Sequence, residues 1–172
     1  MTGDLTYAPV GATRGRTGTW TGLPVGYAVL RAHHRVARGA DEPQRAALAH
    51  DLRTWRLHEA AGVRVRAPGP AEPGTQVVSL LGPGALAVHA PTCVVWADHE
   101  GFGYGTLPGH PFAGEEAFRV VLRGGDLWLD VEAYSRPVWA VARAAGPLVP
   151  VLQRLYVRQL ARAARRLHRR RG

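Results

Sequence analysis

The chain has no lysine, and all 22 of its basic residues are arginine. That absence excludes Schiff-base chemistry and the lysine of a phosphate-binding P-loop. A single cysteine, Cys93, excludes an internal disulfide and a multi-cysteine metal knot. It lies in the apolar run Thr92-Cys93-Val94-Val95-Trp96, which favours buried packing over a reactive thiol. No run reaches the roughly 18 apolar residues that a membrane span needs, and no charged-then-apolar leader pattern opens the chain. A soluble, cytoplasmic protein is the expectation. There is no G-x-S-x-G elbow and no nucleotide-binding glycine loop. His33 and His34 are adjacent, so on a strand they point to opposite faces. His89, His99 and His110 are scattered, so neither a metal site nor any cofactor is expected.

What is present is a polarised charge. The formal net charge is +9, and residues 150–172 hold eight arginines and no acid, whereas the other 14 arginines face 13 acids. The body is therefore close to neutral and the basic character belongs to the C-terminal stretch.

At 172 residues the chain fits one domain, 1–172, with an arginine-rich helical extension at about 151–172. Residues 26–38 alternate as a strand. Asp41-Glu42-Pro43 reads as a helix start, and a single helix is expected from there to about Ala61, stopping at Gly62. From Val63 the period becomes two. Val63–Arg66, Thr75–Leu81, Ala85–Ala90, Thr92–Asp98, Phe102–Leu107, Glu115–Leu122 and Leu127–Tyr134 are the candidate strands. Turn punctuation includes Gly82-Pro83-Gly84 and Gly124-Gly125. Short connections imply an antiparallel meander. After Ser135-Arg136-Pro137 the pattern is helical to the end, with a kink expected at Gly146-Pro147 and Pro150. Strand, helix, meander and long helix together predict an α+β helix-grip fold, in which a curved sheet of about seven strands wraps the last helix and leaves an apolar cavity.

The run Tyr104-Gly105-Thr106-Leu107-Pro108-Gly109-His110-Pro111, followed by Gly114-Glu115-Glu116-Ala117-Phe118, resembles the signature of an uncharacterised family of bacterial and plant proteins, the domain-of-unknown-function family nineteen-ninety. Leu5-Thr6-Tyr7 with Val10-Gly11-Ala12-Thr13, Trp55-Arg56-Leu57-His58 with Ala61-Gly62, and Ser135-Arg136-Pro137 resemble it in the same order. Phe112 departs from the pattern, which has an acid after His-Pro. The resemblance implies a START/Bet v 1-like (SRPBCC) fold, whose members hold hydrophobic ligands between sheet and helix. It implies no reaction.

Parity places Glu116 on one face with Phe118, Val120 and Leu122, and Glu115 on the other with Arg119. On the concave face Glu116 would be a carboxylate at the edge of an apolar cavity, suited to acid or base work; otherwise it is a strand-end residue in water or paired with an arginine. His110 either shuttles protons or orients a ligand, or it locks its own Gly-His-Pro turn. Tyr104 and Thr106 would add hydroxyl contacts and Phe118 an apolar one. Asp130 and Glu132 share a face with Trp128 and Tyr134, opposite Leu127, Leu129 and Val131, and are expected in solvent. In the last helix, Leu152, Tyr156, Leu160 and Leu167 form the stripe for the sheet to grip. Arg158, Arg162, Arg165 and Arg169, with Arg154, form a second stripe, either solvated or in contact with an anionic partner. A peripheral contact with anionic membrane fits that stripe better than nucleic acid, because no base-stacking platform is visible. Three functions remain open: binding of a hydrophobic or amphipathic small molecule, a cofactor-independent cyclase or dehydratase on the same scaffold, and peripheral membrane or nucleic-acid interaction through the arginine helix.

Overall fold

The structure is a computed structural model that describes residues 4–15, 23, 25–81, 87–144 and 146–171. Seven strands form one antiparallel sheet in the order β1-β7-β6-β5-β4-β3-β2. They are β1 (Ala28–Ala37), β2 (Arg64–Arg66), β3 (Gln76–Leu81), β4 (Val88–Ala97), β5 (Gly101–Thr106), β6 (Phe112–Arg123) and β7 (Asp126–Pro137). Helices α1 (Glu42–Arg53) and α2 (Arg56–Ala60) join β1 to β2; α3 (Ala140–Ala144) and α4 (Val149–Arg169) follow β7. The curved sheet and the long last helix make the helix-grip fold expected from the sequence.

Local chemistry accounts for the elements. Asp41 and Gln44 form a reciprocal capping box at the start of α1. The β6–β7 hairpin turns on Gly124-Gly125, whose φ values of 58° and 78° are those a two-residue hairpin loop requires. The core gathers the alternating residues of the sheet, Phe102, Phe118, Val120, Leu127, Leu129 and Val131, against Leu48 and Leu52 of α1 and Val157, Leu160, Ala163 and Ala164 of α4. The arginine-rich stretch is thus the gripped helix itself.

Four expectations need correction. The single helix to Ala61 is broken at Trp55, which adopts φ 66° and turns its indole to donate to the Gly69 carbonyl at 2.8 Å. The strands expected on either side of Pro91 are one strand, β4. Proline survives there because Pro91 directs its main chain past the end of β5, where its carbonyl accepts from Leu107 N–H at 3.0 Å and no ladder bond needs its missing N–H. (Residues 82–86, which include the expected Gly82-Pro83-Gly84 turn and Ala85, lie outside the described residues.) The C-terminal helix is interrupted rather than kinked. A 3₁₀ turn, Gly146–Leu148, separates α3 from α4, and Pro150 sits in the first turn of α4, where an N–H is not needed.

The fourth correction concerns the outer face of the sheet. Glu132 is buried and pairs with Arg119 at 3.2 Å, and Asp130 binds His33 at 2.9 Å and also Arg123. Residues 4–15 cross this face and exclude water from its centre. Parity identifies a strand's two faces but not what covers the second.

Candidate functional site

Side-chain size falls toward one end of the concave face on β6, β7 and β4. On β6 the inward residues run from Val120 and Phe118 to Glu116 and Gly114; on β7, from Leu129 and Val131 to Ala133 and Ser135; on β4, from Val94 to Thr92 and Ala90. Where they are large they meet the second half of α4 and pack solidly. Where they are small a space is left between sheet and helix. The result is a cavity of about 520 Å³, closed on the helix side by Val149, Leu152, Gln153 and Tyr156 and reaching His110 and Phe112 at the β5–β6 turn.

Glu116 is the acid of this cavity. It lies directly opposite Tyr104 on β5 and Ala133 on β7, and the Tyr104 hydroxyl donates to its Oε2 at 3.0 Å. Tyr156 reaches the same Tyr104 hydroxyl from α4. No arginine among the described residues pairs with Glu116. Removal from water raises its pKa to about 7, against a smaller lowering by the Tyr104 bond. The same desolvation, with the Glu116 charge nearby, pushes both tyrosine hydroxyls well above their usual range.

His110 also lines the cavity, half-buried. Its Nδ1 lies 3.0 Å from the Phe112 N–H and 2.9 Å from the Phe112 carbonyl, so it engages one or the other according to tautomer. Burial lowers its pKa to about 4. The imidazole therefore locks its own turn while presenting a neutral edge to the cavity. Thr106 is committed to structure: its hydroxyl lies 2.7 Å from that of Thr6 and accepts from Gly114 N–H at 2.9 Å.

Tyr104, Thr106, His110 and Glu116 are thus brought together around one space. Phe118 is not among its walls. It is fully buried below them, against the rings of Phe102, Tyr104 and His58, because the strand carries it one residue pair deeper than Glu116. Of the arginines, Arg158, Arg162 and Arg169 are exposed, whereas Arg165 donates to the Arg35 carbonyl at 3.0 and 2.8 Å and helps hold α4 on β1. The sequence places Tyr156 only in the gripped stripe, not at the site, and gives no role to the small residues Ala90, Thr92, Ala133 and Ser135. Their signal was a run of small side chains at inward parity, visible only after neighbouring strands are aligned.

The other half of the Gly-Glu-Glu motif faces outward. Glu115 accepts from the Tyr7 hydroxyl at 2.7 Å, Gly11 N–H at 2.6 Å, Thr13 N–H at 2.9 Å and the Thr13 hydroxyl. Trp96 Nε1–H donates in turn to the Thr13 hydroxyl at 2.9 Å. The guanidinium of Arg119, 4.5 Å above the Trp96 ring, donates to the Thr13 carbonyl. Gly103 and Gly105 make room for this cover, since a Cβ would come within 2.2 Å of the Trp96 ring at Gly103 and within 2.4 Å of the Tyr7 ring at Gly105.

His58, also in the recognised motif, is buried in the core with neither ring nitrogen hydrogen-bonded among the described residues. Burial lowers its pKa to about 4. Because the imidazole is held neutral without a partner, His58→Leu is expected to keep stability or raise it by about 1 kcal/mol at neutral pH. A loss of about 2 kcal/mol in chemical denaturation would instead reveal a bonded ring.

Among the described residues no group of three or more His, Cys, Asp or Glu is placed to hold a metal ion, and no helix is long and apolar enough to cross a membrane.

A family model described as a domain of unknown function (DUF1990) matches residues 6–163. A UPF0548 protein of Deinococcus radiodurans is 47% identical over 72 residues, covering 39% of this chain and 36% of that protein. A UPF0548 protein of Arabidopsis thaliana is 36% identical over 66 residues, covering 38% and 32%. The match thus spans about a third of the length of these curated relatives. In structure the chain resembles Bet v 1-like proteins. Norcoclaurine synthase of Thalictrum flavum superposes with TM-score 0.59 at 14% identity, over 86% of this chain and 99% of that one, and the same enzyme is known in complex with dopamine and hydroxybenzaldehyde. Major latex-like protein 151 of Panax ginseng gives 0.58 at 13% identity, over 83% and 97%. Identities this low establish the fold alone.

Proposed function

Since the chain belongs to the DUF1990 family, whose description assigns no activity, we propose from the site itself that it binds a hydrophobic or amphipathic small molecule between the sheet and α4. One observation carries the reading: a cavity of about 520 Å³, walled mostly by apolar atoms, holds a carboxylate that no cation among the described residues neutralises. Pockets that capture small molecules combine such apolar walls with a few convergent polar groups. Here the apolar part of the ligand lies along Ala90, Ala133, Val149 and Leu152, and its polar end meets Glu116 and Tyr104. That norcoclaurine synthase holds small aromatic molecules on the same fold is consistent with this assignment.

Titration with a fluorescent hydrophobic probe such as anilinonaphthalene sulfonate tests it. One saturable site is expected, and Ala133→Leu, which adds bulk to the cavity wall, is expected to weaken the probe about tenfold. Unchanged affinity in that variant would count against the cavity. Native mass spectrometry of protein from its own host would then identify the resident molecule.

Acid–base catalysis is the second reading, and the pKa of Glu116 near 7 is what favours it: a group half-protonated at neutral pH can give or take a proton. Its partner is the tyrosine pair rather than a histidine. In an enzyme, Glu116→Gln would abolish turnover while leaving ligand affinity nearly intact; in a carrier it would alter affinity alone.

A further inference from the structure

The inward face of helix α4 is explained along its length: from Val157 onward it is buried in the core, and before that Val149, Gln153 and Tyr156 line the cavity. Beside that face, Leu152 at the cavity edge joins Val151 and Leu155 and, just before the helix, Leu148; at i, i+3, i+4 and i+7 the four form one stripe. They are 47 to 62% exposed. Continuing by the same helical spacing, the stripe becomes Arg158 and Arg162, both exposed. Across the cavity rim, Val138 and Trp139 are 39 and 38% exposed and hang by their N–H groups from the Pro111 carbonyl, beside His110 and Phe112. Single exposed apolar residues are ordinary. A helical stripe of four, with an exposed indole on the other side of the same rim, is a surface.

The segment that carries it is charged with one sign only. No acid follows Glu132, while residues 133–172 hold ten arginines; the preceding residues hold twelve arginines and thirteen acids. We infer that this rim docks on an anionic lipid bilayer. The apolar half of the stripe and Trp139 enter the headgroup–acyl boundary, and Arg158 and Arg162 remain among the headgroup phosphates. An apolar stripe joined to a cationic one with an aromatic residue at the edge is what such an interface selects. A second copy of this chain fits poorly, since each copy brings the same uncompensated arginines and the two faces repel. Nucleic acid would use the arginines but leaves the apolar stripe without a partner. Docking is independent of whether the cavity binds a ligand.

Vesicle flotation of the full chain tests the inference. Binding is expected to vesicles of phosphatidylcholine mixed with phosphatidylglycerol, to be weak on phosphatidylcholine alone, and to fall as salt screens the arginines. Val151→Ser with Leu155→Ser, both outside the cavity lining, is expected to weaken binding about tenfold while probe binding in solution stays intact. Arg158→Gln with Arg162→Gln is expected to remove most of the preference for anionic lipid, which keeps the test decisive if the serine variant folds poorly. Equal retention on neutral and anionic vesicles overturns the proposal, as does no retention on either. Self-association that the serine pair abolishes would assign the face to a second copy, and preferential binding of the wild type to RNA would assign it to nucleic acid; either overturns it.

Discussion

Glu115→Gln is expected to cost the folded protein about 3 kcal/mol, seen as a fall of roughly 10 °C in Tm for a domain of this size. Four close donors, Tyr7 Oη, Gly11 N, Thr13 N and Thr13 Oγ1, converge on the two oxygens of this buried carboxylate, with the Tyr134 hydroxyl further off at 3.4 Å. A carboxylate only accepts hydrogen bonds, whereas an amide of nearly the same shape turns two N–H groups toward donors that are themselves out of water. Partners left buried and unpaired, rather than the lost bonds alone, set the size of the loss. The damage should also spread. Thr13 holds Trp96 and Arg119, so proteolysis of the N-terminal segment should accelerate in the variant. Tyr7→Phe removes one donor and leaves the others, so about 1 kcal/mol is expected there. Gly105→Ala, which drives a Cβ into the Tyr7 ring, should loosen the same segment without touching the carboxylate. A Glu115→Gln protein that melts within a degree or two of the wild type would show that residues 4–15 are not locked by this contact.

Glu116→Gln, one residue along, is expected to do the opposite, and only at the alkaline end. The Glu116 pKa rises from 4.5 unfolded to about 7 folded, so the folded state favours the protonated acid. That advantage is complete below about pH 4.5 and is lost as pH rises through 7. At about pH 8 the ionised carboxylate is a burden of roughly 2 kcal/mol, a figure discounted for a side chain only half-buried. Glutamine carries no such burden. The variant should be the more stable protein near pH 8 by about that amount, and the difference should vanish near pH 4. The wild type alone will not show this. His58 and His110 have folded pKa values lowered from 6.5 to about 4, so stability they contribute above pH 6.5 is lost as pH falls toward 4. Their effect opposes that of Glu116 across most of the same window, and two histidines outweigh one acid. Denaturation curves for the pair of proteins across this range isolate the acid. A difference that does not change with pH would mean Glu116 is not desolvated in the cavity.

The two glutamates show how much of the site was legible. Period-two parity alone put Glu115 and Glu116 on opposite faces and Glu116 with Phe118. It does not say where the solid core ends and the hollow begins, so it cannot separate Phe118, which lies in the core, from the walls. That boundary depends on which small residues of β4, β6 and β7 become neighbours, and strand pairing across the sheet decides it. Glu132 illustrates the same gap from outside. Alternation puts it opposite the core, but residues 4–15 rather than water cover that face.

Sequence by itself determined the broad order of strand, helix, meander and long helix, the inward face of each long strand and the gripping stripe of α4 from Tyr156 onward, because those follow from local periodicity and turn chemistry. Only the tertiary structure decided that Trp55 breaks the first helix, that Glu115 is a buried anchor, and that Tyr156 comes across to Tyr104 and Glu116. Each of those depends on residues distant in the chain excluding water from one another. Desolvation, which sets both the strength of the outer lock and the acidity of Glu116, is a property of enclosure, and no local pattern encodes it.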